Sequence, residues 1–363
     1  MEIDELLKLV VDQGASDLHL RVDSRPVLRI DGKLIPQDNF PQLTHHETKK
    51  LFEQITNQQQ RDTFLRDKEL DFAYTLDNLA RFRVNILWQR KTISIACRMV
   101  SFEVPSIDEL ELPQICKDLI LQPRGLILIT GHTGAGKSTT MAAMIRHLNE
   151  NRECNVITIE DPIEYQHHHI KSIIAQRELG DDTNSFALAL IHALRHDPDV
   201  IVVGEMRDLD TISTAIRAAE TGHLVMGTLH TPDVPQTIDR IIDIFPPYQQ
   251  TQIRLQLSQA IVAILSQTLL PRIEGIGRIA AFEVMIANPA IRNLIRERKS
   301  YEILSYMQLG NNNDYMQIMD EALADLVKRN KVTKQEAMLR SSNPERVEKL
   351  FKLDLLRGSR RTG

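Results

Sequence analysis

Three cysteines in 363 residues, Cys97, Cys116 and Cys154, leave little for a disulfide framework. They stand far apart with no Cys-x-x-Cys pair, so no tetracysteine zinc site is available, and the pattern suits a reducing compartment. No apolar run reaches the length of a membrane span; the longest candidate, around residues 261–270, is interrupted by Ser266 and Gln267. The first residues, MEIDELLKLV, are acidic and amphipathic, which does not fit a secretory signal. A positive charge excess is also missing. The net charge is −5, which argues against a dedicated nucleic-acid binder and its basic face. No internal repeat or low-complexity block is visible.

What remains is an ordinary globular composition, 42% hydrophobic and 26% charged, in a chain long enough for two domains. Its centre is the stretch LILITGHTGAGKSTTMAAMIRHL, residues 126–148. An apolar run precedes a glycine-rich turn, and a helical pattern follows. Gly131, Gly136, Lys137 and Ser138 match G-x-x-x-x-G-K-[ST], a phosphate-binding loop, in the strand-to-helix context that the motif requires. The glycines let backbone N–H groups turn toward phosphate oxygens, so Gly131, Thr133, Gly134, Ala135, Gly136, Lys137, Ser138 and Thr139 are the candidate nucleotide contacts. Lys137 brings an ammonium to the β- and γ-phosphates, and Ser138 a hydroxyl to Mg²⁺. The implied ligands are a nucleoside triphosphate and Mg²⁺.

Residues 1–100 read as an α+β domain. Ile3, Leu6, Leu7 and Val10 fall at helical spacing, Thr44 and Glu47 form a capping box, and strands are expected near residues 17–22, 26–30, 71–74, 81–88 and 92–99. Residues 101–112 read as an acidic linker. Residues 113–274 alternate strand and helix, the pattern of a mainly parallel α/β sheet, with strands at 126–130, 155–159, 200–203 and 224–229. Ligands of such sheets bind beyond the carboxyl ends of the strands. From residue 275 to 363 helical patterns dominate, with a loop at 310–313 and a basic tail, RGSRRTG.

The strand ends carry acids and histidines. Glu160, Asp161 and Glu164 follow the second strand. Beside phosphate, such carboxylates hold Mg²⁺ or take a proton from water; otherwise they form a solvated turn. The third strand runs into Gly204-Glu205. Where many phosphate-loop enzymes place a metal-supporting Asp, this chain has Gly204, so Glu205 is assigned to the metal's water shell or the attacking water. His230, at the end of the fourth strand, either senses the γ-phosphate by donating a hydrogen bond or is a structural histidine. His167–His169 cannot converge three consecutive side chains on one ion and read as a surface turn.

Taken together, GASDLHL (14–20), GHTGAGKSTT (131–140), ITIEDPIEY (157–165), DPDVIVVGEMRD (197–208), AAETGHLVMGTLHT (218–231) and AIRNLIRE (290–297) closely resemble the secretion and type IV pilus ATPases. Within that superfamily they are most similar to the twitching-motility retraction motors of the PilT type. The resemblance covers nearly the whole chain. It implies a PAS-like N-terminal domain, a RecA-like P-loop ATPase domain and C-terminal helices, assembled as a homohexamer with ATP between the two domains. It makes Glu164 the general base, Glu205 the Walker B acid, His223 and His230 the His box, and Arg83 and Arg98 the arginine fingers. AIRNLIRE is similar to the segment these motors need for retraction. The implied setting is the cytoplasm at the inner-membrane face of a pilus base. The implied partner is the inner-membrane platform protein, with no nucleic acid and no transmembrane segment. The alternative within the superfamily is a pilus extension or type II secretion assembly ATPase. Those motors carry a tetracysteine module and an extra N-terminal domain that this sequence lacks. His132 departs from the Pro usual in the retraction motors' phosphate loop.

Overall fold

Burial of apolar side chains builds both halves of the molecule. The computed structural model describes residues 1–30, 32–76, 79–100, 104–275, 277–309 and 315–350. The chain divides into two compact units, one holding the N-terminal hundred residues with Glu164–Gln166, the other Val104–Ile163 and the chain from His167 onward. The expected loop at 310–313, the basic tail and the first three residues of the expected linker lie outside the described residues.

The first unit contains α1 (Ile3–Asp12), β1 (Asp17–Leu20), β2 (Val27–Ile30), β3 (Lys33–Pro36), α2 (His45–Ile55), α3 (Gln58–Asp67), β4 (Glu69–Leu76), β5 (Ala80–Gln89) and β6 (Thr92–Val100). The strands form an antiparallel sheet in the order β3-β2-β1-β6-β5-β4. Along β5, Ala80, Phe82, Val84 and Ile86 are buried, while the residues between them face the other side. The buried set packs with Leu6, Leu7 and Val10 of α1 and Leu51 and Phe52 of α2 in one core. Each fully buried Leu, Ile or Phe contributes about 1.5–3 kcal/mol. Thr44 caps α2 through the expected box: its N–H donates to Glu47 Oε2 at 2.7 Å, and Glu47 N–H donates to Thr44 Oγ1 at 3.3 Å.

The second unit contains α4 (Ile115–Ile120), β7 (Gly125–Thr130), α5 (Lys137–Asn151), β8 (Asn155–Glu160), β9 (Ile173–Glu178), α6 (Phe186–Ala193), β10 (Val200–Val203), α7 (Leu209–Glu220), β11 (Leu224–Leu229), α8 (Val234–Asp243) and α9 (Pro247–Ala260). It continues with β12 (Ile261–Pro271), β13 (Arg278–Ile286), α10 (Pro289–Arg296), α11 (Ile303–Leu309), α12 (Met319–Lys328) and α13 (Lys334–Arg340). Its seven-stranded sheet runs β13-β12-β7-β11-β10-β8-β9. All neighbours are parallel except β12 and β13. On β7, Leu126 and Leu128 enter one core with Ile212 of α7 and Ile238 of α8; Ile127 and Ile129 enter another with Met144 of α5 and Cys116 of α4. Helices therefore cover both faces, which explains why the central strands are apolar without interruption. The fold is α/β.

The four strands expected from the sequence are adjacent, in the order β7-β11-β10-β8, so their carboxyl ends share one edge. The region from residue 275, where helical patterns dominate the sequence, also contains one strand among the described residues, β13. Every residue from Ala281 to Met285 is buried, on both faces, so its sequence shows neither alternation nor a helical stripe. β9 and β12 are two further strands that the sequence pattern does not predict. Residues 104–112 pack on the second unit, where Ile107 and Leu112 are 1% and 4% exposed. Among the described residues, no helix is long and apolar enough to cross a membrane.

Candidate active site

The loop between β7 and α5 is shaped by its neighbour β12. Gly131 has φ +142°, and a Cβ there would lie 2.3 Å from the Gln267 carbonyl oxygen. Gly136, at φ +88°, is the N-cap of α5. Any side chain at these two positions strains the backbone or meets β12. Lys137 is 9% exposed, and its Nζ donates to the carbonyls of Gly131 at 2.8 Å and His132 at 3.2 Å. A buried ammonium folded over a glycine cradle at a helix N-terminus fits a polyphosphate. Thr133 and Gly134 lie exposed at the loop's tip, Ala135 is buried, and Ser138 and Thr139 occupy the first turn of α5, half-buried. The same geometry fits a Mg²⁺ carried by that phosphate beside the Ser138 hydroxyl.

The adjacent strand ends meet this loop. Thr133 Oγ1 lies 3.4 Å from His230 Nδ1, and His230 Nε2 lies 3.0 Å from Glu205 Oε1. Arg207 Nε also donates to Glu205 Oε1. A polar line thus runs Thr133–His230–Glu205–Arg207. Glu205 is fixed from behind: Met206 N–H donates to the Thr228 carbonyl at 3.0 Å, and the Thr228 hydroxyl donates to the Gly204 carbonyl at 2.5 Å. Gly204 has a steric reason to lack a side chain, since a Cβ would stand 3.0 Å from the Ile159 carbonyl oxygen. The acid therefore falls one residue later, on Glu205. Glu160 accepts from Thr158 Oγ1 at 2.5 Å and Gln176 Nε2 at 3.1 Å.

His223 behaves differently from His230. It precedes β11, and its Nδ1 lies 3.0 Å from the Ala218 carbonyl oxygen. Six strand residues separate the two histidines, about 20 Å of rise, so within one chain His223 is not at the phosphate loop. His167–His169 lie in a loop. His167 is pushed down to about 4 by burial, and the His169 ring accepts the Ile174 N–H at 3.1 Å. Among the described residues, no cluster of three His, Cys, Asp or Glu side chains is arranged to hold a metal.

Arg83 and Arg98 lie in the first unit, directly opposite each other on β5 and β6. Both are exposed. Their row continues to Asp17 on β1 and Arg29 on β2. Asp17 is 6% exposed; it accepts Arg98 Nε at 2.8 Å and the Ser16 hydroxyl at 2.7 Å, with Arg29 Nε 3.7 Å away. Burial opposes its ionisation, but the hydrogen bonds from Ser16 and Arg98 prevail and hold its carboxyl below the usual range. The Asp of GASDLHL is thus the anchor of an arginine row, visible only once β1 and β6 are paired. Glu164 lies exposed in the loop after β8, in the segment grouped with the first unit.

Two further residues escaped the sequence reading. Gln267 donates from Nε2 to the Ala135 carbonyl at 2.5 Å. Glu283 on β13 is 4% exposed and accepts the Val234 N–H at 2.8 Å, at the head of α8 just beyond His230. Burial pushes Glu283 up to about 7 against the pull of that bond, with Asp233 and Asp320 adding to the rise. Their only sequence signal was a polar residue inside an apolar run.

The AIRNLIRE segment forms α10, capped by the Asn288 side chain on the Ile291 N–H at 3.0 Å. Ile291 and Ile295 are fully buried, and Arg292 Nη1 donates to the carbonyls of Ser258 and Gln259, each at 2.6 Å. Asn293, Arg296 and Glu297 face outward.

Residues 1–338 match the protein family described as Type II/IV secretion system protein. The chain is 44% identical, over 95% of its length and 99% of the relative's, to a Pseudomonas aeruginosa protein named type IV pilus retractation ATPase PilT. It is 45% identical, over 88% of its length and 85% of the relative's, to a Neisseria gonorrhoeae twitching motility protein. A crystal structure of the pilus retraction motor PilT with bound ADP superimposes with a TM-score of 0.90 at 46% identity, covering 96% of this chain and 99% of that one. With its phosphate loop, strand-end acid and end-to-end likeness to these proteins, the chain belongs to the Type II/IV secretion system protein family.

Proposed function

We propose that this protein is a homohexameric ATPase that powers retraction of type IV pili, and with it twitching motility. The observation that carries the reading is the Thr133–His230–Glu205 line beside a glycine cradle, in a chain alike to retraction ATPases from end to end. Backbone N–H groups of 131–139 and the Lys137 ammonium hold the phosphates. Ser138 and Glu205 would hold Mg²⁺, which when bound would offset charge on the phosphate oxygens. Glu164 takes the proton from the attacking water. Glu205 and His230 orient that water, with His230 reporting the γ-phosphate to the loop through Thr133. Arg83 and Arg98 neutralise charge developing on the γ-phosphate, an effect of about 10³–10⁵ in rate in other NTPases. The outward residues of α10, Asn293, Arg296 and Glu297, serve retraction rather than hydrolysis.

The motor works at the cytoplasmic face of the inner membrane, against the platform protein at the pilus base. Deleting the gene tests this. Hyperpiliated cells that do not twitch are expected, whereas bald cells would mean an extension motor. For the chemistry, Glu164→Gln should bind ATP and release phosphate at least 100-fold more slowly; normal turnover would remove Glu164 as the base.

A further inference from the structure

Gln267 is an expensive residue where it stands. It is 3% exposed on β12, whose neighbour Ser266 pairs in register with Thr130 at the end of β7. Its Oε1 is buried without a hydrogen-bond partner. An unmet buried acceptor destabilises a fold, and an apolar side chain of similar shape would remove that cost. Packing alone therefore gives no reason for a glutamine here.

The other end of the amide supplies one. Nε2 donates to the Ala135 carbonyl at 2.5 Å, inside the glycine loop. The peptide that joins Ala135 to Gly136 is planar and trans, so its C=O and N–H point opposite ways. Turning the carbonyl down onto β12 turns the Gly136 N–H outward, to the loop's open side. Released, the same peptide is free to rotate and present an oxygen to an anion. Gln267 also bounds both glycines: a Cβ on Gly131 would lie 2.3 Å from its carbonyl oxygen, and one on Gly136 3.2 Å from its Nε2.

We propose that Gln267 is a positioning residue for the phosphate loop, holding the Ala135 carbonyl away from the nucleotide so that the Gly136 N–H faces the phosphates. This rests on the reading of residues 131–139 as a nucleotide site. The residue acts on affinity, not on the water or its base, so its loss separates binding from turnover.

The test uses the full chain with Mg²⁺ and a fluorescent ADP analogue, with Lys137→Ala as the control for the loop. Gln267→Met keeps the volume and removes the donor. It should raise the Kd at least tenfold, change kcat less than threefold, and leave the melting temperature without nucleotide equal or higher. Gln267→Glu donates only when protonated. Its Kd should approach the wild-type value as pH falls from 8 to 6, a dependence that a space-filling role would not produce. If Lys137→Ala still binds the analogue as wild type does, the nucleotide-site reading fails, and this proposal with it. If Lys137→Ala abolishes binding but Gln267→Met binds normally, Gln267 alone is misassigned. A Gln267→Met variant that does not fold, together with a pH-independent Gln267→Glu, overturns the positioning role as well.

Discussion

The phosphate loop and the arginine row are built on opposite physical terms. The loop is boxed in: Lys137 is buried, Gly131 stands against β12, and Thr133 approaches His230 just beyond β11. The row is open: the Arg98 side chain is 72% exposed and leans on Asp17, whose own side chain is 8% exposed. A binding surface gains from being fixed before its ligand arrives, because the ordering cost is met during folding. A charge that serves only when the γ-phosphate is transferred gains from remaining able to move. Asp17 is buried but the Arg98 side chain remains largely in solvent, so the contact aims Arg98 without enclosing it.

If that contrast is right, binding and rate divide between the two regions. The largest effect is expected from Arg98→Ala or Arg83→Ala: kcat falling roughly 10³-fold, with ATP affinity within about threefold of wild type. A variant that lost affinity and kept its rate would reverse the assignment.

On the buried side, Glu283 should make stability depend on pH. Between about 4.5 and 7 the folded chain keeps a proton that the unfolded chain has released. Its folded pKa is raised, so the stabilisation is complete below that window, is lost as pH rises through it, and falls no further above. The loss should reach up to about 3 kcal/mol. Melting temperatures of Glu283→Gln should be flatter across that window than those of the wild type; parallel curves would show that the carboxyl is not held as described.

Asp17→Asn should have a smaller effect, about tenfold in kcat with affinity unchanged, since Arg98 remains and loses only its direction. Equal kcat values would reduce Asp17 to a packing residue. The smallest effect serves as a control. Thr44→Ala removes the cap of α2, belongs to neither set of residues, and should cost about 1 kcal/mol in urea unfolding while leaving turnover unaltered.

The glycine loop and the acids at the strand ends were legible because each is a local pattern, an apolar run followed at once by a polar or glycine residue. The capping box at Thr44 is local in the same way. β13 was not legible, because a strand buried on both faces has no period to read. Partnerships across long separations were also hidden. Thr133 and His230 lie 97 residues apart, Asp17 and Arg98 81, and Gln267 and Ala135 132. Ser266 and Gln267, which in the sequence merely interrupted an apolar stretch, are the two polar side chains that β12 turns toward Thr130 and the loop.

The adjacency of β7, β11, β10 and β8 has a metrical consequence. Neighbouring strands in any sheet lie about 4.8 Å apart, a spacing set by backbone hydrogen bonds and not by side chains. Gly131, His230, Glu205 and Glu160 each stand at the tip of one tooth of this comb. Substitution can change what a tooth carries, and insertion can lengthen the loops beyond it. Neither alters the pitch, so the spacing of the strand ends that carry the phosphate loop, His230 and Glu205 is a constant of the sheet.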